Sequence, residues 1–128
     1  MPNETADRFN AMRWHDAQLR SLRFFRSPVD QEELVEVAVV FPDDEIGVAR
    51  RVIFTDATYI SLSVDLEGKG ACSDAVSSAV CRDKSDWIAS LAARNPHDTF
   101  EGFLHFRIEW IPPGGAIDVL AKGFQLVP

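Results

Sequence analysis

The sequence predicts an α+β domain that is predominantly antiparallel β, with about six strands in a sandwich-like or roll-like arrangement and one helix inserted before a C-terminal hairpin. Apolar and polar residues alternate along several short runs, which is the period of strands with one buried face. The regularly spaced crossover helices that a parallel sheet needs are missing from the pattern. The length of 128 residues is typical of one domain. We therefore expect a single domain over residues 1–128, with residues 1–13 as a flexible or helical N-terminal arm.

The first two strands are predicted on either side of a turn. In residues 18–26 (QLRSLRFFR) the alternation slips once, which indicates a strand with a bulge. Residues 35–41 (VEVAVVF) have the period of a half-buried strand. Ser27 and Pro28 between the two runs are a turn signal, so we expect a hairpin.

Two further strands are predicted at residues 52–54 and 60–66. The second has the cleanest alternation in the chain, because every even position from Ile60 to Leu66 is aliphatic. We expect it to neighbour the long strand near the C-terminus. Residues 72–81 fit either a short helix or an irregular strand, and the pattern does not choose between them.

A helix and a hairpin complete the chain. Ser85 is a suitable N-cap for a helix whose apolar positions 87, 88, 91 and 92 form one face, and Asn95 with Pro96 ends it. Residues 100–111 (FEGFLHFRIEWI) form a long strand with Leu104, Phe106, Ile108 and Trp110 inward. After the turn PPGG at 112–115, a final strand runs from Ile117 toward Leu126 and pairs antiparallel with the long strand.

The net charge, the apolar runs and the cysteines of the sequence indicate which partners, location and metal sites to expect. A formal net charge of −7 disfavours nucleic acid and anionic membranes, both of which attract basic surfaces. No run approaches the ~18 apolar residues of a membrane span, and the polar N-terminus is unlike a signal peptide, so we expect a cytoplasmic protein. The cysteines Cys72 and Cys81 lack neighbours at metal-ligand spacing. We predict no metal and no cofactor.

The string Trp14-His15-Asp16 is the first candidate site, because a vicinal His-Asp pair can bind metal in helical phosphohydrolases. Such chemistry needs further ligands on a helical scaffold, and the sequence does not supply them in a matching pattern. The structural interpretation, in which His15 and Asp16 bond the backbone while Trp14 packs, is favoured.

The polar face of the long strand is the second candidate site. His105, Arg107 and Glu109 form a row with steps of about 7 Å. Such a row could line a pocket. If Asp118 and Lys122 of the next strand share that face, cross-strand ion pairs are a sufficient reason for the charges, and this interpretation is favoured.

Two stretches resemble a group of small uncharacterised bacterial proteins. They are residues 14–19 (WHDAQL), and residues 104–107 (LHFR) followed by 112–121 (PPGGAIDVLA). Some proteins with a similar His-Asp-x-x-Leu opening look like immunity proteins of contact-dependent bacterial toxin systems, which are small acidic cytoplasmic antidotes that bind and block a toxin domain. The resemblance implies a toxin domain as the partner and carries over no catalytic residue. The acidity of the chain could serve to bind a basic protein, although plain solubility is the favoured explanation of it.

Three functional hypotheses follow. The first is a non-enzymatic binding protein, most concretely an immunity-like antidote whose acidic surface meets a basic toxin. The second is a small-molecule binder or hydrolase that uses His105, Arg107 and Glu109, with or without His15 and Asp16. The third is a structural homodimer that buries one sheet face or edge against a second copy.

Overall fold

Eight strands and two helices make up the part of the chain that the structure, a computed structural model, describes: residues 3–44, 48–64, 75–110 and 115–128. In chain order the elements are α1 (Glu4–Asn10), β1 (Gln18–Arg26), β2 (Glu33–Val40), β3 (Arg50–Thr55), β4 (Tyr59–Val64), β5 (Val76–Arg82), α2 (Asp86–Arg94), β6 (Leu104–Trp110), β7 (Gly115–Ala121) and β8 (Gly123–Val127).

The strands form two four-stranded sheets. The first sheet has the order β1-β2-β3-β8 and the second sheet has the order β4-β7-β6-β5. Every neighbouring pair is antiparallel. Apolar side chains from both sheets and from α1 belong to one buried core cluster. The predicted class, mostly antiparallel β with helices, is therefore confirmed, whereas the predicted count of six strands is wrong.

The predicted final strand is in fact two strands that belong to different sheets. β7 pairs with β6 in the second sheet, and β8 pairs with β3 in the first. The change of sheet occurs at Lys122, whose backbone N–H donates to the carbonyl oxygen of Thr55 (3.0 Å). The sequence carries a signal for this break, since the inward apolar positions shift from odd numbers up to Ala121 to even numbers from Phe124. Only the pairing of β6 with the first half of that strand is confirmed.

The N-terminal hairpin and its bulge are confirmed. β1 pairs with β2, and the register shifts between Leu19 and Ser21, where the alternation slips in the sequence. The expected pairing of β4 with β6 is wrong, because β7 lies between them and pairs with both. Two predicted features lie partly outside the described residues: the strand at 60–66, at Asp65 and Leu66, and the turn at 112–115, at residues 112–114.

Residues 72–81, for which the sequence allowed a helix or a strand, contain most of the strand β5 where the structure describes them. β5 pairs with β6, while Cys72 to Asp74 lie outside the described residues. The predicted helix before β6 is confirmed as α2, and the Ser85 hydroxyl accepts from the Ile88 N–H (3.1 Å) as its N-cap. Of the two alternatives for the N-terminal arm, flexible or helical, the structure shows a helix at residues 4–10, α1.

α1 inserts into the core through one aromatic side chain. Phe9 is fully buried and contacts Phe54 and Phe124 of the first sheet and Phe106 of the second, with ring centroids 6.4, 5.3 and 5.0 Å away. The Asn10 side chain fixes the end of the helix, because it donates to the Cys81 carbonyl (3.1 Å) and accepts from the Cys81 N–H (2.7 Å). The N-terminal segment is thus part of the core.

We expect Phe9→Ala to lower the free energy of unfolding by about 3 to 5 kcal/mol, the usual cost of removing a fully buried aromatic ring. Urea denaturation followed by tryptophan fluorescence would measure it. Phe24→Ala is the matched control, because Phe24 is 58% exposed and should cost less than about 1 kcal/mol. Equal losses in the two variants would contradict the role of Phe9.

Burial also governs the chemistry of Cys81. Desolvation, with a smaller contribution from the charge of Asp83, raises the pKa of the Cys81 thiol from its ordinary 9.0 to about 12. Because the thiolate is the reactive form, Cys81 should be inert in the folded protein. In a Cys72→Ser variant at pH 8, we expect a disulfide reagent to leave the remaining thiol unmodified until denaturant is added. Rapid modification of the native protein would refute this.

Candidate functional site

The polar row of β6 lies on the outer face of the second sheet. His105, Arg107 and Glu109 alternate with the buried residues Leu104, Phe106, Ile108 and Trp110, as predicted. Asp118 of β7 is the direct partner of Arg107 in the register and shares the face. The cross-strand pair expected there is present. Lys122 does not join it, because it follows β7 and lies over the ring of Phe103 (5.4 Å).

His105 is the most enclosed member of the row, with 9% of its surface exposed. Its Nε2 lies 2.6 Å from Asp118 Oδ1 and its Nδ1 lies 2.9 Å from the hydroxyl of Ser85. The Trp87 ring packs over it at a centroid distance of 4.7 Å. Because a carboxylate only accepts, we assign an N–H to Nε2. In the neutral ring, Nδ1 then accepts from the Ser85 hydroxyl.

Arg107 binds the carboxylates on both sides of it. Its Nη1 donates to both oxygens of Asp118 (2.9 and 2.7 Å), and its Nε donates to Glu109 Oε1 (2.6 Å). The hydrogen bond with Glu109, followed by those with Asp118, raises the pKa of Arg107 despite some opposing desolvation. The guanidinium therefore stays charged and holds Asp118 in place.

Two shallow depressions border this network. One, of about 250 Å³, is lined by Ser78, Val80 and Arg82 of β5 together with the polar row. The other, of about 350 Å³, lies toward Ser63 and Ala116. In the region between the two depressions, the polar row and Asp118 present hydrogen-bond donors and acceptors to solvent, beside the N-terminus of α2. Sequence reasoning missed Ser85 and Trp87 as neighbours of His105, although the cap signal at Ser85 was recognised.

The structure does not bring Trp14, His15 and Asp16 to the polar row. Trp14 is a core residue whose indole N–H donates to the Phe9 carbonyl (2.9 Å). His15 is exposed, and its Nδ1 donates to the Ser77 carbonyl (3.1 Å), with Nε2 3.7 Å from Asp16 Oδ2. The Asp16 N–H also donates to the Val76 carbonyl (3.0 Å). The string thus anchors the chain to the edge of β5, in agreement with the structural interpretation.

A second feature, which the sequence did not indicate, is an open groove between the edge strands β1 and β4. Phe24 shares the inward face of its sheet with Val35, and Leu62 shares that of the other sheet with Ile117. Nevertheless Phe24 is 58% exposed and Leu62 is 48% exposed. Phe24 lines the groove, and Leu62 lies two positions along β4 from the lining residue Ile60; neither side chain is covered by the opposite sheet. Beside Phe24 the groove encloses about 420 Å³ and is lined by Phe24, Phe25, Arg26, Glu33, Leu34, Val35, Ala57, Thr58, Tyr59 and Ile60.

Three carboxylates lie next to the lining residues in the chain: Asp30 and Glu32 precede Glu33, and Asp56 precedes Ala57. Arg26 is neutralised by Glu33 (2.8 Å). Asp30, Glu32 and Asp56 form no ion pair within the described ranges. The Glu32 N–H donates to Asp30 Oδ1 (3.0 Å), and this hydrogen bond is the main cause that lowers the pKa of Asp30. We call Asp30, Glu32 and Asp56 the acidic rim.

Comparison with known protein families, with curated proteins and with solved structures found no match to this chain. Across the described residues, no group of three or more His, Cys, Asp or Glu side chains could hold a metal ion. Nor is any helix in the described ranges long and apolar enough to cross a membrane. The polar row and the groove are the features of the described structure that bear on function.

We expect Asp118→Asn to destabilise the protein by about 2 to 4 kcal/mol, because its carboxylate is 14% exposed and accepts from both His105 and Arg107. Glu109→Gln is the matched control: this carboxylate is 42% exposed and should contribute less than about 1 kcal/mol. Urea denaturation at pH 7 would compare them. A loss for Asp118→Asn no larger than for Glu109→Gln would show that the network does not stabilise the fold.

Proposed function

We propose that this protein binds a basic protein partner by taking an apolar segment of that partner into the groove between β1 and β4. The observation that carries the proposal is the exposure of Phe24 and Leu62, which point inward from their sheets and yet meet solvent. Large exposed apolar side chains that adjoin a groove are typical of interaction sites. Their burial would contribute a favourable free energy of roughly 25 cal/mol per Å² before the costs of association.

The acidic rim supports a basic partner. Asp30, Glu32 and Asp56 lie next to lining residues of the groove in the chain, without a cation to neutralise them in the described structure, and the whole chain carries a net charge of −7. The hydrogen bond from the Glu32 N–H lowers the pKa of Asp30 and so favours its ionised form. Lysine or arginine residues beside the apolar segment would be attracted and steered toward it. A second copy of this chain would bring the same carboxylates and is disfavoured.

The edges of the groove suit an extended segment. β1 and β4 are the outer strands of their sheets, and within the described residues only Gln18 of these two strands makes a bridge on the open side. Unpaired strand edges can accept a further strand through backbone hydrogen bonds. Some proteins whose opening is similar to residues 14–19 look like immunity proteins, and capture of a basic toxin domain is our specific hypothesis for the partner.

Selection of random displayed peptides on the immobilised protein, with counter-selection on Phe24→Asp, would test this function. We expect the enriched peptides to combine two or more apolar residues with lysine or arginine. A labelled copy of one such peptide should bind the wild type with an affinity that falls as salt is added, because the rim contributes through charge. Phe24→Asp should weaken its binding at least about tenfold, since a buried contact is replaced by a charge.

Val48→Asp is the matched control, because Val48 is comparably exposed but does not line the groove. It should leave the affinity unchanged. Enrichment of acidic peptides, or equal effects of the two variants, would contradict the proposal. So would a dimer in solution that Phe24→Asp dissociates, because the groove would then be filled by a second copy.

A further inference from the structure

Ser85, His105 and Asp118 form a continuous hydrogen-bonded chain. The Ser85 hydroxyl lies 2.9 Å from His105 Nδ1, and His105 Nε2 lies 2.6 Å from Asp118 Oδ1. The three side chains come from three separate elements: the N-cap of α2, β6 and β7. Such an order of hydroxyl, imidazole and carboxylate is the arrangement that activates a serine for nucleophilic attack.

The proton positions suit that role. The Ser85 oxygen already accepts from the Ile88 N–H (3.1 Å), so its own proton is directed to His105 Nδ1. Asp118 is held in place by two hydrogen bonds from Arg107. It can therefore orient the ring and stabilise the imidazolium that forms when Nδ1 takes the serine proton. The ring nitrogen that faces the serine is Nδ1, and Nε2 faces the carboxylate.

The N-terminus of α2 adds electrostatic stabilisation. The first N–H groups of a helix have no acceptor within the helix, and they follow Ser85 directly in the chain. The Ile88 N–H already donates to Ser85 Oγ, so an oxyanion that develops beside Ser85 would be stabilised by the N–H groups of Asp86 and Trp87 and by the helix dipole. Ser85 is partly exposed, whereas Trp87 covers His105, so only a small substrate can reach the hydroxyl.

We propose that Ser85 is the nucleophile of an acyl-transfer site that hydrolyses small esters, with His105 as general base and Asp118 as the positioning carboxylate. This activity goes beyond the proposed function and uses different residues from the groove. The shallow depression of about 250 Å³ bordered by His105 and Arg82 adjoins the chain of hydrogen bonds and offers room for the acyl group.

The reaction balances with water as the co-reactant. Ser85 Oγ bonds to the carbonyl carbon while its proton moves to Nδ1, and the carbonyl electron pair becomes the oxyanion. When the oxyanion collapses, the bond to the alcohol oxygen breaks and the Nδ1 proton goes to that oxygen, which leaves acyl-Ser85. Water then gives a proton to Nδ1 and bonds to the carbonyl carbon. The bond to Ser85 Oγ breaks, the serine regains its proton and the carboxylic acid leaves.

A fluorophosphonate probe would test the nucleophile directly, with intact-protein mass spectrometry and peptide mapping as the readout. We expect one phosphonyl adduct on Ser85 of the wild type, and slow hydrolysis of p-nitrophenyl acetate that the probe abolishes. Ser85→Asn should lose both, at least about tenfold, while it keeps a residue that caps helices well. Ser90→Ala on the exposed side of the same helix should retain both.

Asp118→Asn should slow labelling at least about tenfold, with circular dichroism showing that the variant is folded. Absence of an adduct on the folded wild type in excess probe would overturn the proposal. An adduct that survives in Ser85→Asn, or a labelling rate unchanged in folded Asp118→Asn, would overturn it too. Phe24→Asp should leave labelling unchanged, so that failure of this site and failure of the groove are distinguishable.

Discussion

The fold depends on the contact of Phe9 with aromatic rings from both sheets. Phe54 and Phe124 approach it from one sheet and Phe106 from the other, and Trp14 packs on its remaining side (4.8 Å). Aromatic pairs at these separations contribute beyond the area that they bury. Because β8 reaches the first sheet directly after β7 leaves the second, this cluster also holds the point at which the chain changes sheets.

The packing between the two sheets is closed near α1 and open between β1 and β4. Near α1 the core is closed by Phe9, whereas between β1 and β4 the inward side chains Phe24 and Leu62 remain open to solvent. A groove with apolar walls and a negative rim is the result. Sheets that splay at one edge lose the free energy of burial there, and a partner that fills the edge recovers it. The proposed binding function therefore uses a site where the fold alone is incompletely packed.

The polar network on the second sheet has two consequences that follow from the same contacts. Arg107 forms ion pairs with Asp118 of β7 and Glu109 of its own strand and offsets part of their charge, so that a charged row can lie on the outer face of β6. The contacts of Asp118 and Ser85 on either side of His105 also fix the ring in one orientation. Stabilisation of α2 against the sheet and activation of Ser85 would both require that orientation. Ser85→Asn separates the two roles, because asparagine still caps the helix but has no hydroxyl to act as the nucleophile.

Much of the local structure was determined by the sequence alone. Alternation specified the β1–β2 hairpin, its bulge and the inward face of β6, and the N-cap at Ser85 specified α2, since these features depend on neighbours within a few positions. Tertiary structure alone decided that β7 stands between β4 and β6, that α1 enters the core and that Trp14 is buried away from the polar row. It also decided that Ser85 meets His105 and that Phe24 stays exposed. Those outcomes depend on which surfaces, far apart in the chain, cover one another. The alternation of apolar and polar residues along a strand shows which face is buried but not which surface covers it.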